Sequence, residues 1–239
     1  MYWYKCLGAD NLSEGSTINL MSSEYVLKNN ILRQKRSFSQ KQSQTRDTFG
    51  YKWKKRDTYD SINVHDHSRN WLKERYLKCE ENSSILQSLM HNGARFLDAG
   101  CGAGFSALLL FEEYINKVNY LGVDISNSVD IAIKRFCEHN IKGEFLQTDL
   151  LHLPFSGPTF DIIFSEGVLH HTDSTEKTFK YLTSLLMPGG IFMFYVYRRK
   201  GPIREFSDDF IRDHLRIMDD DHAWEELLPL TKLGKTLGE

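Results

Sequence analysis

Two carboxylates bracket a run of glycines in this chain. The segment Asp98-Ala-Gly-Cys-Gly-Ala-Gly104 carries glycines at 100, 102 and 104, and Asp124 follows Gly104 by twenty residues. Glycines at alternate positions permit a tight turn and let a ligand approach the backbone. A carboxylate at the end of the next strand can accept hydrogen bonds from both hydroxyls of a ribose. A dinucleotide turn needs Gly-x-Gly-x-x-Gly, so that a helix N-terminus meets a pyrophosphate. Here the third position of that pattern is Phe105. Asp98, immediately before the loop, repels a pyrophosphate and attracts a cationic amine. The chemistry expected is recognition of a cationic nucleoside without phosphate. A second pair, His170 and His171, supplies titratable groups further along.

Such a loop works only where a strand feeds a helix, and the pattern around it provides that alternation. Arg95–Ala99 reads as a first strand and Ser106–Ile115 as a helix. Val118–Val123 is a second strand and Ser126–His139 a second helix, with Ile131, Ile133 and Phe136 apolar. Glu144–Gln147 is a short third strand, and Phe160–Ser165 is an apolar run suited to burial on both faces. Asp173-Ser-Thr-Glu176 has the form of a capping box, with Asp173 as the cap. That helix is expected to reach Leu186 and to be ended by Pro188-Gly-Gly190, before a fifth strand at Ile191–Tyr197. Alternating strands and helices predict an α/β fold, a doubly wound parallel sheet with helices on both faces. Ligands in such sheets bind at the carboxyl ends of the strands, which is where the glycine loop and His170 fall.

The flanking regions differ in character. Residues 1–45 are polar and are expected to be largely flexible, with a short helix around Ser23–Leu32. Ten Lys and Arg lie between Lys28 and Arg56, opposed only by Asp47. A solvated mobile segment is the first reading of that charge, and contact with nucleic acid or a phosphate-bearing acceptor the second. Residues 46–92 read as a helical lid or cover, with Trp71, Leu72, Arg75, Tyr76 and Cys79 at helical spacing and Ile85, Leu86 and Leu89 in another helix. Residues 93–200 form the cofactor-binding core, and 201–239 an acidic helical segment without a convincing strand. The net charge of -2 gives no global reason to expect nucleic acid or an anionic membrane. No apolar run approaches bilayer length, and four scattered cysteines without a Cys-x-x-Cys pair fit a reducing cytoplasm and no metal site.

S-Adenosylmethionine carries an ammonium, a sulfonium and no phosphate, so it meets the electrostatic demand of the loop. The motifs point the same way. Leu97-Asp-Ala-Gly-Cys-Gly-Ala-Gly-Phe105 resembles the first motif of class I S-adenosylmethionine-dependent methyltransferases, a Rossmann-like fold. Phe160-Asp-Ile-Ile-Phe-Ser-Glu-Gly-Val-Leu-His-His-Thr172 resembles their fourth-strand motif, and Leu186-Met-Pro-Gly-Gly-Ile-Phe192 the turn into their fifth strand.

The resemblance implies that Asp98 and the backbone of Gly100, Cys101 and Gly102 hold the methionine portion. It places Asp124 on the ribose and Ile125 against the adenine. Asp149 would accept from the adenine amino group, with the Leu150 amide facing a ring nitrogen; a loop or cap aspartate is the structural alternative. Ser165 would offer backbone contact near the methionine amine. His170 or His171 would act as base or acceptor ligand, with capping of their loop as the alternative.

A small-molecule acceptor is the expected partner. The Asn/Asp-Pro-Pro-Tyr/Phe element of amine-directed nucleic-acid methyltransferases is replaced here by Ser165-Glu-Gly-Val168. Protein arginine methyltransferases use two glutamates in a hairpin, and only Glu166 is present. Phe49-Gly-Tyr-Lys-Trp53 resembles a segment of bacterial methyltransferases of glycan or secondary-metabolite pathways. Two other readings stay open: a methyltransferase-like binding or regulatory protein without turnover, and an RNA- or DNA-directed methyltransferase using the basic segment. The full class I sheet has seven strands, and this sequence predicts five, with the sixth and seventh absent. Either a longer chain or another surface would cover the fifth; the oligomeric state is left open.

Overall fold

A computed structural model describes residues 2–37, 39–55 and 60–238. Arg56 of the basic stretch and Glu239 of the tail lie outside the described residues. The chain divides into two units, one reaching Val196 and one beginning at Tyr197.

The five expected strands form the middle and one side of the first unit's sheet. They are β4 (Arg95–Ala99), β5 (Asn119–Asp124), β6 (Glu144–Gln147), β7 (Phe160–Glu166) and β8 (Leu186–Tyr195). Their order is β6-β5-β4-β7-β8, with every neighbouring pair parallel. Successive side chains in a strand point to opposite faces, and burial follows that rule. Phe96, Tyr120, Phe145, Ile162 and Phe164 enter one core cluster, whereas Leu97, Ala99, Leu121, Leu146 and Ile163 enter the other. Helices α5 (Phe105–Phe111) and α6 (Val129–Glu138) contribute to the first cluster, and α7 (Thr175–Ser184) to the second. β8 closes one edge of the sheet, and no described strand pairs with its outer side.

The N-terminal segment corrects the expectation of flexibility and of a helix at Ser23–Leu32. After the short helix α1 (Tyr2–Cys6), β1 (Thr17–Leu20), β2 (Ser23–Lys28) and β3 (Ile31–Gln34) extend the sheet to eight strands. β1, β2 and β3 are antiparallel, and β3 runs parallel to β6 through Leu32–Leu146 and Arg33–Gln147. The β2–β3 turn is Asn29-Asn30, both at positive φ (56° and 59°), the backbone a two-residue hairpin of primed type requires. Asn29 and Asn30, inside the expected helix, are therefore turn residues. Burial anchors the segment: Tyr25, Ile31 and Leu32 are inaccessible to solvent. The Tyr4 hydroxyl donates to the Phe145 carbonyl (2.8 Å), and the Trp3 indole to the Asn119 carbonyl (2.9 Å).

Among the described residues, α2 (Gln40–Lys54), α3 (Ile62–Tyr76) and α4 (Glu80–Leu89) follow. Two boundary expectations change further on. Ser174, not Asp173, caps α7, its hydroxyl accepting from the Lys177 amide. The Asp173 carboxylate instead accepts from the Ser39 hydroxyl. Pro188-Gly-Gly190 does not end that helix; it lies inside β8, where the register with β7 shifts between Phe160 and Ile162. A proline has no N–H for the ladder, so a bulge is where a strand tolerates one.

The second unit holds α8 (Pro202–Leu215) and α9 (Asp220–Gly238).

Candidate functional site

The β4–α5 loop is tied down from both sides. The amides of Gly100 and Cys101 both donate to the Val123 carbonyl at the end of β5 (2.8 and 2.9 Å). Gly100 and Gly102 have φ of +86° and +51°, a region that side chains with a Cβ rarely enter. Space is equally restrictive. A Cβ on Gly100 would lie 2.8 Å from Val168 Cβ, and one on Gly102 would lie 2.8 Å from Trp53 Nε1.

The two acids flank this loop in different states. Asp98 is buried, and the Tyr120 hydroxyl donates to its Oδ2 (2.6 Å). Burial raises Asp98 to about 7; the Tyr120 bond opposes that rise, and the charges of Asp124 and Glu166 add to it. Asp124 accepts from the Gly102 amide through Oδ2 (2.9 Å) and from the Ser126 amide and hydroxyl through Oδ1 (2.8 and 2.7 Å). Burial raises this carboxyl too, while the Ser126 and Gly102 bonds favour the charged form. Cys101 is buried, and burial pushes its thiol well up, so it is neutral and no nucleophile.

The remaining expected residues fall along the same carboxyl ends. The Thr148 amide donates to the Asp124 carbonyl (3.0 Å), which brings the β6 turn beside β5. Ile125 is half-buried, and its carbonyl accepts from Gln147. Leu150 is buried in a 3-10 turn, Leu150–His152, whose cap is Asp149. Asp149 Oδ1 accepts from the Leu151 amide (3.0 Å), so the capping alternative is realised in this carboxylate. Its Oδ2 lies 3.1 Å from Gln42 Nε2 and 3.2 Å from His152 Nδ1. Ser165 is buried, and its hydroxyl donates to the Ala99 carbonyl (2.8 Å), joining the ends of β7 and β4. His170 and His171 form a 3-10 turn with Leu169, their ring centres 4.0 Å apart. Burial lowers both histidines. His171 falls to about 4, chiefly through burial, with His170, Lys52 and Lys41 adding to the lowering.

Further residues, from the helices ahead of the core, reach the site. α2 crosses the strand ends: Gln42 reaches Asp149, Gly50 faces Ser126, Trp53 covers Gly102, and Phe49 packs on the His171 ring with centres 4.9 Å apart. Near the end of β7, the Tyr76 hydroxyl donates to Glu166, and the Arg75 guanidinium lies against the rings of both Trp71 (3.8 Å) and Tyr195 (3.6 Å). Phe49, Gly50 and Trp53 had a hint in the Phe49–Trp53 segment, and Trp71, Arg75 and Tyr76 in their helical spacing, whereas Gln42 had none.

A glycine cradle with no room for a Cβ, a carboxylate clamped on its backbone and a second acid behind it suit a cationic nucleoside better than a pyrophosphate. Comparison with known proteins bears on this directly. A family model described as a methyltransferase domain matches residues 90–230. The chain belongs to the methyltransferase domain family. The donor cofactor of this methyltransferase is S-adenosylmethionine, which the residues present fit. Phosphoethanolamine N-methyltransferase 1 of Triticum aestivum is 32% identical over 118 residues, 48% of this chain and 23% of that protein. A probable tRNA methyltransferase 9B of Mus musculus is 34% identical over 119 residues, 48% of this chain and 24% of that protein. The chain thus spans about a quarter of the length of these relatives. The PH0226 protein of Pyrococcus horikoshii aligns with a TM-score of 0.46 and 24% identity, over 66% of this chain and 65% of that one.

Proposed function

We propose that this methyltransferase transfers the methyl group of S-adenosylmethionine to a small-molecule acceptor by in-line displacement. The observation that carries the reading is the Asp124 carboxylate held on the Gly102 amide, flanked by the buried acid Asp98. When bound, the cofactor supplies a methyl group already activated by a positively charged sulfur.

The chain's own residues then have three tasks. The first is to hold the donor: Asp98 with the backbone of Gly100, Cys101, Gly102 and Ser165 at the methionine end, Asp124 at the ribose, and Ile125, Asp149 and Leu150 around the adenine. The second is alignment, which supplies much of the rate when the donor is activated. The third is proton removal, needed only for an acceptor whose attacking atom carries a proton that must leave. His170 and His171 suit it, since a lowered pKa leaves both imidazoles neutral near pH 7 and able to accept.

The basic N-terminal stretch supports a small acceptor over nucleic acid because part of its charge is engaged within the protein. Arg33 pairs with Asp130 (2.6 Å), Lys35 with Glu24 (3.2 Å) and Arg46 with Asp47 (2.8 Å), and Lys41 donates to the Thr172 carbonyl (3.1 Å). A cytoplasmic location belongs to the same reading and is supported by four free thiols. No helix among the described residues is long and apolar enough to cross a membrane.

The test is methyl transfer from isotopically labelled S-adenosylmethionine to a panel of amine, hydroxyl and carbon acceptors, with tRNA included. Labelled product from a small acceptor supports the proposal. Label in tRNA alone would replace the acceptor class, and cofactor binding without product throughout would leave a binding or regulatory role.

A further inference from the structure

The carboxylate proposed for the adenine amino group already holds a different amide. Asp149 is 4% and Gln42 6% exposed, and the Gln42 carboxamide donates to Asp149 Oδ2 across 3.1 Å. A carboxamide NH2 and an exocyclic adenine amino group present the same planar donor pair. Asp149 is engaged elsewhere as well: Oδ1 accepts from the Leu151 amide and Oδ2 also faces His152 Nδ1.

The rest of α2 covers neighbouring parts of the same site. A Cβ built on Gly50 stands 4.0 Å from Ser126 Cβ, beside Asp124, and one built on Gly102 would strike the Trp53 indole. The helix is fastened beyond the site as well. Ser39 donates to Asp173, and Lys41 Nζ to the Thr172 carbonyl (3.1 Å). A buried amide thus lies on the carboxylate proposed for the adenine, and an indole lies over the glycine loop.

We propose that α2 is a gate over the cofactor crevice, with Gln42 occupying the adenine amino subsite until the helix moves away. This inference rests on the cofactor placement proposed above. The conformation described is then the closed, binding-incompetent one. Observed affinity equals intrinsic affinity reduced by the fraction of molecules with α2 open. Gln42 becomes a determinant of cofactor affinity without being part of the bound site.

The 4.0 Å spacing suits a disulfide, whose Cβ atoms are roughly 3.5–4.5 Å apart. The staple is Gly50→Cys with Ser126→Cys, in a background where the exposed Cys6, Cys79 and Cys137 are serine. S-Adenosylhomocysteine binding is measured by calorimetry before and after reduction. The oxidised form is expected to bind at least about tenfold more weakly than the same protein after reduction. Gln42→Ala gives an independent arm without an engineered bond, with circular dichroism as the check on folding. It is expected to bind several-fold to about tenfold more tightly than wild type, because one charge-assisted hydrogen bond no longer competes. Equal affinity in oxidised and reduced staples, or weaker binding by a folded Gln42→Ala, overturns the gate while leaving the cofactor placement intact. Absence of binding in wild type, reduced staple and Gln42→Ala alike overturns the cofactor placement and the gate with it.

Discussion

The Asp124 carboxylate accepts the Gly102 amide at 2.9 Å, so the end of β5 fixes the middle of the loop that follows β4. One carboxylate thereby shapes the glycine turn while facing the position proposed for the ribose. Its replacement should cost more than a ligand contact. Asp124→Ala removes the Gly102 and Ser126 bonds together and is expected to weaken S-adenosylmethionine binding by about 2–3 kcal/mol, the upper part of the range for hydrogen bonds to a charged group. Asp124→Asn keeps one acceptor oxygen and should lose about half of that. Titration calorimetry of both variants, beside their thermal unfolding, separates the two contributions.

Gly100 offers a steric test. Gly100→Ala introduces a Cβ at φ +86° and 2.8 Å from Val168 Cβ. The expected destabilisation is about 1–3 kcal/mol, combining backbone strain with overpacking. Val168→Ala in the same chain should recover the packing share and leave the backbone share. A denaturant double-mutant cycle would then show a coupling of roughly 1 kcal/mol. Strict additivity would mean that the loop relaxes away from Val168.

Asp98 sets a pH dependence. Its carboxyl is raised by burial from 3.8 to about 7, so it gains charge near neutrality. A cationic amine favours the charged form, and affinity for S-adenosylmethionine should tighten as pH rises from about 6 to about 8. Fold stability runs the other way. A carboxyl raised in the folded state contributes fully below its unfolded pKa, and that contribution is lost as pH rises through the folded value. Asp98→Asn should therefore bind more weakly with a flatter pH profile, and should lose less stability than wild type between pH 3.8 and about 7.

The two histidines can be told apart by their surroundings. His171 is lowered to about 4 and packs on Phe49, whereas burial alone accounts for the smaller lowering of His170. Stability should fall as pH drops from 6.5 toward about 4, where the unfolded chain binds a proton that folded His171 refuses. His171→Gln should blunt that fall in an acid denaturation series. His170→Gln should instead affect turnover of a proton-bearing acceptor, lowering kcat by about 10²-fold if it is the base. Unchanged kcat in both variants would assign the pair to shaping their loop.

Much of the core was legible because its signals are local. Apolar runs such as Phe160–Phe164 mark strands buried on both faces, and three glycines with two acids mark the loop. The N-terminal strands are not legible because they are short and polar-flanked, and because the Asn29-Asn30 hairpin turn falls inside the helix expected at Ser23–Leu32. What stabilises them is distant: Tyr25 reaches Thr148 and the His152 carbonyl, and α1 is capped by Glu144, whose carboxylate accepts the Trp3 and Tyr4 amides. Gln42 was invisible for the same reason. A glutamine in a polar helix gains meaning only when folding sets it 3.1 Å from an aspartate 107 positions away.

Isothermal titration of the wild-type chain with S-adenosylmethionine at about pH 8, in parallel with Asp124→Ala, tests the central claim most directly. The account predicts one cofactor per chain in wild type and a loss of about thirty- to a hundredfold or more in affinity in the variant, which stays folded. Equal affinity in the two proteins, or saturation of neither, would contradict it.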